Sequence, residues 1–356
     1  MSSLQPSGLI LRDISKTFGN ESRAVPVLDS LSLEVFEGEF VTVIGSSGTG
    51  KTTLIRIIAG LEQANSGEIF FNGRELSAGE VGYIFQKPVL YPHLSVEENI
   101  LFGTKLKNFS GQVDQPHYRT LLAILGLSGL TARRPAELSG GQQQRVGIAR
   151  ALVRKPPLVL FDEPLASVDE SMSAQIRTEI LQLHADLGFT ALYITHDLNE
   201  ALQLGDRVAV MTNGTIVQCS TSDKLLAEPA TLSVAELTGQ PALNKLFVQT
   251  ANGKSSLLAL RSSSIGVGKA PSHANTARIL IDFTCTTVYG RLVSGILQDD
   301  ARWATSSKEK ASVARGQGIK FFADAKVGEL VDAWVEPSQC HLFDADNFVI
   351  KAIANE

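Results

Sequence analysis

The sequence has few cysteines, no long apolar run and no excess of basic charge. Its three cysteines, Cys219, Cys285 and Cys340, are far apart and form no CxxC pair, so we expect neither a zinc site nor a disulfide framework. No apolar stretch approaches the roughly 18 residues that cross a bilayer, so a role at a membrane would need a partner protein. The formal net charge of -5 gives no overall attraction to nucleic acid, and we expect no nucleic-acid partner.

The composition and the order of apolar runs predict an α/β fold. With 44% hydrophobic and 19% charged residues, the chain is typical of globular proteins, and its 356 residues suit one large and one smaller domain. Up to about Gly239, short apolar runs alternate with helical patterns, which favours a mainly parallel sheet. Four runs are typical of strands buried on both faces: FVTVI (40–44), LVLF (158–161), ALYI (191–194) and VAVM (208–211).

The change in sequence character after residue 240 predicts two domains. Domain 1, residues 1–240, contains a helical subdomain at about 88–155, where strand signals are few. It also contains a helix with apolar residues at i, i+3, i+4 and i+7: Leu54, Ile57, Ile58 and Leu61. Domain 2, residues 241–356, has Ser- and Gly-containing stretches between strand patterns such as ARILIDFTCTTVYG and ELVDAWVEP. We therefore predict a small, β-rich second domain.

A glycine-rich segment, GSSGTGKTT at 45–53, predicts a phosphate-binding loop. It fits G-x-x-x-x-G-K-[ST] with Gly45, Gly50, Lys51 and Thr52 at the defining positions, after a predicted strand and before a predicted helix. Inward-pointing N–H groups and the positive end of a helix favour phosphate oxygens. We expect Lys51 to contact the β- and γ-phosphates and Thr52 to bind Mg²⁺. A Gly/Ser-rich connecting loop is the alternative, but it leaves Lys51 and Thr52 unexplained.

Polar residues follow the ends of three predicted strands. In PLVLFDEP (157–164), Asp162 suits a Mg²⁺ shell opposite Thr52, and Glu163 can orient and deprotonate an attacking water. A simple helix cap is the alternative for this pair. Gln86 closes VGYIFQ and His196 closes ALYITH. Either residue alone is typical of an ordinary strand end, but the carboxyl ends of parallel strands collect ligands, so both are candidates for the metal, the water and the γ-phosphate.

Over residues of about 10–240, these motifs together resemble the ATP-binding cassette (ABC) transporter ATPases. The motifs occur in the family's order: Phe18, GSSGTGKTT, Gln86, LSGGQQQR (138–145), LVLFDE (158–163), ASVD ending at Asp169, and His196. The resemblance implies a P-loop cassette with Glu163, His196 and Gln86 as catalytic residues and Mg²⁺ bound by Thr52, Gln86 and Asp162. It implies that Phe18 stacks on adenine, and that ATP is bound by the loop residues Gly45, Ser46, Ser47, Gly48, Thr49, Gly50, Lys51, Thr52 and Thr53.

The resemblance also implies a homodimer of cassettes that sandwiches two ATP molecules. In such a dimer, the segment Ser139, Gly140, Gly141 and Gln142 of one subunit faces the phosphate-binding loop of the other, and Asp169 shapes the seam between them. The residues agree with this, because the apolar pattern after Gln142 places Ser139 at a helix N-terminus, where an anion is favoured. A solvated helix cap explains Ser and Gly but not the whole octet.

Within this family, YPHLSVEENILFG (91–103) and the β-rich tail resemble ATPases that energise uptake of sugars, glycerol phosphates, polyamines and ferric iron. These carry a small C-terminal OB-like domain, for which a regulatory sensor and a dimer-stabilising module without a ligand both stay open. The resemblance implies a separate transmembrane permease, an extracytoplasmic solute-binding protein and a place at the cytoplasmic face of the inner membrane. A carbohydrate or related solute is the expected cargo. Import of ferric iron, a polyamine or an oxyanion is the alternative, as is a soluble ABC ATPase of translation or DNA repair.

Overall fold

The computed structural model describes residues 8–19, 24–76, 80–105, 113–239, 243–253, 255–287, 289–306 and 310–343. The chain forms two compact units, Met1–Ser222 and Asp223–Glu356. The predicted domain boundary, between residues 240 and 241, lies outside the described residues. The division between the units comes earlier in the chain, so two helices that precede the predicted boundary group with the second unit.

Strands and helices alternate along the first unit. Its strands are β1 (Gly8–Phe18), β2 (Val25–Phe36), β3 (Phe40–Ile44), β4 (Ser66–Phe71), β5 (Arg74–Glu75), β6 (Val81–Ile84), β7 (Leu158–Asp162), β8 (Thr190–Thr195), β9 (Arg207–Thr212) and β10 (Thr215–Ser220). Its helices are α1 (Lys51–Ile58), α2 (Val96–Leu101), α3 (Gln115–Ile124), α4 (Gly140–Leu152), α5 (Glu170–Leu187) and α6 (Leu198–Leu204).

A mainly parallel sheet forms the centre of the first unit, with the strand order β10-β9-β3-β8-β7-β6. Its neighbours pair in parallel except β10, which pairs antiparallel with β9 at the edge. All residues of β3 and β7 are buried, because successive side chains enter two different apolar clusters. Phe40 and Phe161 join one cluster, and Val41 and Leu160 join the other. Burial on both faces explains the continuous apolar runs, and the predicted α/β fold is confirmed.

A separate antiparallel sheet, β2-β1-β4-β5, packs on one side of the parallel sheet. Its inward residues include Leu9 and Leu31, which share an apolar cluster with Val41 of β3 and Leu54 of α1. This sheet was not predicted, because alternation of apolar residues indicates a strand but not the strand with which it pairs.

Helices α2, α3 and α4 lie within residues 88–155, where a helical subdomain was predicted. Ser95 caps α2 in a reciprocal pair with Glu98: the serine hydroxyl accepts from the Glu98 N–H (3.2 Å), and the Glu98 carboxylate accepts from the Ser95 N–H (2.8 Å). The buried His117 ring places Nε2 3.0 Å from the Leu152 carbonyl oxygen, which joins α3 to α4. All three helices contribute to the cluster that contains Phe161, so they pack on the face of the parallel sheet opposite the antiparallel sheet.

Helix α1 is shorter than its apolar spacing predicts. Leu54, Ile57 and Ile58 are buried, but the helix ends at Ile58 and Leu61 is 52% exposed. Gly60 has a φ of 69°, a left-handed conformation that commonly ends helices. The prediction that Leu61 belongs to this helix was therefore wrong.

Antiparallel strands dominate the second unit. Its helices are α7 (Ser222–Ala227), which crosses the division between the units, and α8 (Leu232–Thr238). Its strands are β11 (Leu243–Thr250), β12 (Ser255–Arg261), β13 (Ile265–Val267), β14 (Asn275–Thr287), β15 (Gly290–Leu297), β16 (Ala301–Ala304), β17 (Lys310–Val313), β18 (Gly318–Phe322), β19 (Leu330–Val335) and β20 (His341–Phe343). They form two five-stranded sheets, β16-β17-β11-β12-β20 and β13-β19-β14-β15-β18. This confirms the predicted β-rich domain and is consistent with an OB-like fold.

Arg261 of β12 ties the two helices to the second unit. Its guanidinium donates to the Leu226 carbonyl oxygen (2.6 Å) and to the Thr238 hydroxyl (3.0 Å). Ala235 of α8 shares an apolar cluster with Phe343 of β20. These contacts explain why the division between the units precedes α8.

The three cysteines are free thiols. Cys340 is fully buried, and burial raises the pKa of its thiol to about 12, so it is unreactive at neutral pH. In the described part of the chain, no helix has the length and apolar character needed to cross a membrane.

Candidate nucleotide-binding and hydrolysis site

The predicted phosphate-binding loop connects β3 to the first residue of α1. Gly50 has a φ of 101°, and a Cβ there would lie 2.7 Å from the Val27 carbonyl oxygen. A Cβ on Gly45 would overlap a main-chain carbonyl of β9. Thr49 donates through its hydroxyl to the Ser46 carbonyl oxygen (2.9 Å), which tightens the turn. The loop therefore needs glycine where its main chain passes closest to its neighbours.

Replacing Gly50 with Ala is expected to destabilise the chain more than replacing Gly48 with Ala. Both glycines have positive φ (101° and 84°), which costs about 1–2 kcal/mol for a residue with a side chain. A Cβ at position 50 would meet neighbours, whereas one at position 48 would have no described atom within 4 Å, so we expect a further ~1–3 kcal/mol at position 50. Urea unfolding of both variants measures the difference, and equal losses would contradict the close approach.

Lys51 places its ammonium group inside the loop. The residue is 5% exposed, and Nζ donates to the carbonyl oxygens of Gly45 (2.7 Å) and Ser46 (3.2 Å). Burial lowers the pKa of Lys51, and the carboxylates of Glu163 and Asp162 oppose that effect. A cavity of about 310 Å³ lies here, lined by Val27, Ser47, Gly48, Gly50, Lys51, Thr52, Thr53 and Glu163. A buried ammonium group beside a helix N-terminus suits a polyphosphate.

Asp162 ends β7 close to the start of α1. Its Oδ1 lies 3.4 Å from Thr52 Oγ1, and its Oδ2 accepts a hydrogen bond from the Tyr83 hydroxyl of β6 (2.8 Å). Burial raises the pKa of Asp162, an effect that the Tyr83 hydrogen bond opposes. Tyr83 was not predicted as a site residue; its only sequence signal is a hydroxyl group within an apolar strand.

The oxygen atoms of Thr52 and Asp162 fit a magnesium ion. Among the described residues, no cluster of three or more His, Cys, Asp or Glu side chains could hold a metal ion. Mg²⁺ usually binds one or two protein carboxylates together with waters and the phosphates of its nucleotide. Asp162 is a carboxylate whose pKa burial raises, and nearby positive charge stabilises its ionised form. The donor set therefore matches an ion shared between protein and nucleotide.

Glu163 and His196 meet at the carboxyl ends of β7 and β8. Glu163 Oε2 lies 3.0 Å from His196 Nδ1. Glu163 has a φ of 44°, which is uncommon for a residue with a side chain, and its N–H donates to the Ile194 carbonyl oxygen (3.0 Å). Strained residues of this kind cluster at active sites. Glu163 also lines the cavity around Lys51, so its carboxylate connects the imidazole of His196 to the cavity that holds the Lys51 ammonium group.

Phe18 and Gln86 lie outside this set of contacts. Phe18 ends β1 and is 41% exposed, with Lys16 Nζ 4.8 Å from its ring centroid. Gln86 is exposed two residues after β6, and its main-chain oxygen lies 3.5 Å from Ser167 Oγ. In the described part of the chain, no hydrogen bond joins the Gln86 side chain to Asp162. Its metal and catalytic roles stay predictions.

The segment LSGGQQQR begins α4. Ser139 caps the helix: its hydroxyl accepts from the Gln142 N–H (3.3 Å), and the Gln142 side chain accepts from the Ser139 N–H (3.0 Å). Ser139 is exposed, whereas Gly141 is buried where a Cβ would overlap the Met172 side chain of α5. Asp169 caps α5 and accepts from the Met172 N–H (3.0 Å). The segment therefore packs against the first turn of α5, which Asp169 caps, and none of its residues lines the Lys51 cavity.

Comparison with known proteins finds relatives in sequence. Residues 28–166 match the family described as ABC transporter. The sn-glycerol-3-phosphate import ATP-binding protein UgpC of Escherichia coli (strain K12) is 42% identical over 251 residues, which are 69% of this chain and 70% of that protein. The protein of the same name from Salmonella typhi is 42% identical over 245 residues, which are 67% of this chain and 68% of that protein.

Solved structures of similar fold cover a smaller share of the chain. The ATP-binding cassette MJ0796, described as dimeric in a post-hydrolysis state with ADP and Pi, is 29% identical with a TM-score of 0.53, over 60% of this chain and 98% of that one. The cbiO1 protein from Clostridium perfringens, described as part of the ABC transporter complex cbiONQ, is 26% identical with a TM-score of 0.56. That alignment covers 63% of this chain and 92% of the other.

Proposed function

This chain belongs to the ABC transporter family of ATP-binding proteins and is the ATPase subunit of an importer, and we propose that Lys51, Glu163 and His196 carry out its chemistry. The observation that carries the proposal is that Lys51 and Glu163 line one cavity and that Glu163 Oε2 lies 3.0 Å from His196 Nδ1. The cleavage of ATP then drives the uptake of a solute through a separate permease.

Binding of ATP begins with its phosphates. The loop N–H groups and the Lys51 ammonium neutralise the β- and γ-phosphates, and Thr52 and Asp162 would hold the magnesium ion that comes with the nucleotide. Bound there, Mg²⁺ supplies positive charge that stabilises the transferring phosphoryl group. Phe18, exposed at the end of β1, offers its ring for stacking on adenine, as the family resemblance implies.

Hydrolysis needs a base beside the γ-phosphate. The Glu163 carboxylate accepts a proton from the attacking water and orients it in line with the bond that breaks. The contact to His196 fixes the carboxylate and the imidazole relative to each other. Because Lys51 is buried and lines the same cavity as Glu163, positioning and charge stabilisation supply most of the rate enhancement.

The segment around Ser139 serves the site of a second subunit. Its exposed helix N-terminus suits a phosphate, and the similar cassette MJ0796 is described as a dimer with ADP and Pi. We therefore assign Ser139, Gly140 and Gly141 to the γ-phosphate of the ATP held by the other subunit. Asp169 lies at the seam, because it caps the helix against which Gly141 packs.

The proposed assembly places two copies of this chain under a membrane permease. The similar protein cbiO1 is described as part of an ABC transporter complex, which supports a permease partner. An extracytoplasmic solute-binding protein and a position at the cytoplasmic face of the inner membrane complete the proposal. The second, β-rich unit is assigned either a regulatory or a dimer-stabilising role.

A sugar or a glycerol phosphate is the proposed solute, because relatives with 42% identity are named for sn-glycerol-3-phosphate import. A strain that lacks the gene for this chain, supplied with the wild type or Lys51→Ala, tests it with labelled sn-glycerol-3-phosphate and a panel of sugars. Uptake of one of these should be lost on deletion and restored by the wild type alone. Loss of ferric iron or polyamine uptake instead would refute the proposed solute class, and full rescue by Lys51→Ala would refute the proposed ATP site.

A further inference from the structure

A buried carboxylate, Glu200, lies behind the loop that carries His196. Glu200 is in α6 and is 7% exposed. Its Oε2 accepts hydrogen bonds from the hydroxyl groups of Tyr193 (3.0 Å) and Thr195 (2.8 Å), both in β8. Because β8 ends at the residue before His196, this carboxylate anchors the end of the strand from which the histidine projects.

Thr195, which precedes His196, connects the Glu200 carboxylate to Asp197, which follows His196. It is 2% exposed; its hydroxyl donates to Glu200 and accepts from the Asp197 N–H (3.0 Å). His196 therefore lies between two residues whose positions depend on one hydroxyl group. A shift of about 1 Å at a reacting group can cost roughly 100-fold in rate, so this anchoring bears on the 3.0 Å contact of His196 with Glu163.

Arg177 of α5 links this anchor to the first turn of its own helix, which Asp169 caps. It is 7% exposed; Nη1 lies 3.8 Å from Glu200 Oε1, and Nη2 lies 3.5 Å from Glu170 Oε1. Among the residues that the structure describes, none forms a hydrogen bond with its buried Nε. Glu170 directly follows Asp169, the residue that caps α5. One guanidinium group thus lies between Glu200 of α6 and Glu170 at the start of α5, next to the residue proposed for the seam.

A contribution to stability alone does not explain why Glu200 and Arg177 are buried here. Burial raises the pKa of Glu200, and the hydroxyl donors and Arg177 only oppose that effect. Apolar residues of similar volume often replace a buried ion pair without loss of stability. Neither Glu200 nor Arg177 lines the Lys51 cavity, so neither is part of the surface that holds the nucleotide. A costly polar cluster directly behind the proposed catalytic histidine suggests a role in turnover.

We propose that Glu200 is a positioning residue, which holds His196 against Glu163 through the Thr195 hydroxyl, and that Arg177 couples this position to the start of α5, which Asp169 caps. The inference rests on the proposed hydrolytic roles of Glu163 and His196. It predicts that disturbing the cluster slows turnover and leaves the affinity for ATP unchanged.

The first test compares Thr195→Val, which removes the hydroxyl, with Thr195→Ser, which keeps it. In ATPase assays of the full chain, Thr195→Val should lower kcat roughly 10- to 100-fold, with the KM for ATP within about twofold of wild type. Thr195→Ser should restore kcat to within about threefold. Glu200→Gln should resemble Thr195→Val, because the amide keeps the size but loses the charge that holds Arg177 and both hydroxyl groups.

Glu39→Gln is the matched control for Glu200→Gln. The Glu39 carboxylate is also largely buried and pairs with Arg207 (2.8 Å), but it precedes β3 at the end of the sheet remote from His196. It should lose stability without a change in kcat. Equal losses of kcat in Glu39→Gln and Glu200→Gln would show a general effect of destabilisation and overturn the proposal.

A double-mutant cycle tests the part of Arg177. If Arg177 and Glu200 act as a unit, Arg177→Met with Glu200→Gln should lower kcat no more than the stronger single change. Multiplying effects would overturn the coupling. The positioning role would be overturned if Glu163→Gln abolished turnover but folded Thr195→Val and Glu200→Gln kept a kcat within about twofold of wild type. Absence of a Glu163→Gln effect would instead refute the proposed function itself.

Discussion

Glu163→Gln is expected to lower kcat for ATP hydrolysis by about 10²- to 10⁴-fold, the usual contribution of a general base. The amide has the size of the carboxylate and can still accept a hydrogen bond from His196, but it cannot take a proton from water. Affinity for ATP should be kept or slightly increased, because Glu163 lines the cavity and its charge repels the phosphates. Steady-state ATPase assays and titration with a fluorescent nucleotide measure the two quantities.

The same variant should also accumulate as a dimer with ATP. If hydrolysis opens the sandwich, a chain that binds ATP without cleaving it stays closed, and size-exclusion chromatography with light scattering detects the larger species. Glu39→Gln is again the control, since it removes a carboxylate remote from the site and should keep both turnover and the wild-type elution profile. Turnover near the wild-type rate in Glu163→Gln would remove Glu163 as the base.

The parts of the fold that could be predicted are those for which local sequence and tertiary position coincide. β3 and β7 are continuous apolar runs because both of their faces are covered. The glycines and Lys51 of the loop obey a spacing that only a strand, a tight turn and a helix N-terminus satisfy. Asp162 was expected opposite Thr52 because a carboxylate that ends a strand beside a phosphate-binding loop suits a Mg²⁺ shell, and Thr52 Oγ1 lies 3.4 Å from Asp162 Oδ1.

The parts that could not be predicted depend on packing between distant segments. The local sequence around Glu200 is typical of a glutamate in a helix, and the burial of Glu200 follows only from the placement of α6 against β8. Arg177, 23 residues earlier in the sequence, meets it through the packing of α5. Tyr83 reaches Asp162 because β6 and β7 pair in parallel, and no sequence motif predicts that pairing. Polar side chains in buried positions are thus the least visible part of this site in the sequence.

Two lesions placed in a covalently linked dimer should show whether the ATP site is shared between subunits. One tandem fusion carries Ser139→Arg in the first copy and Lys51→Ala in the second; the other carries both changes in the first copy and none in the second. Lys51→Ala removes a charge-assisted contact worth about 1.5–3 kcal/mol. Ser139→Arg places a bulky side chain on the exposed N-cap of α4.

The two fusions contain the same two substitutions and differ only in which copy carries each of them. In a two-fold symmetric dimer with shared sites, lesions on separate copies fall into one site and leave the other intact, whereas lesions on one copy damage both. We therefore expect roughly half of wild-type ATPase activity in the first fusion and background activity in the second. If each copy built its site from its own Ser139 and Lys51, the order would reverse, because the second fusion would keep one undamaged copy. Since a loss of stability common to both fusions cannot produce either order, the comparison decides whether Ser139 serves its own ATP or that of its neighbour.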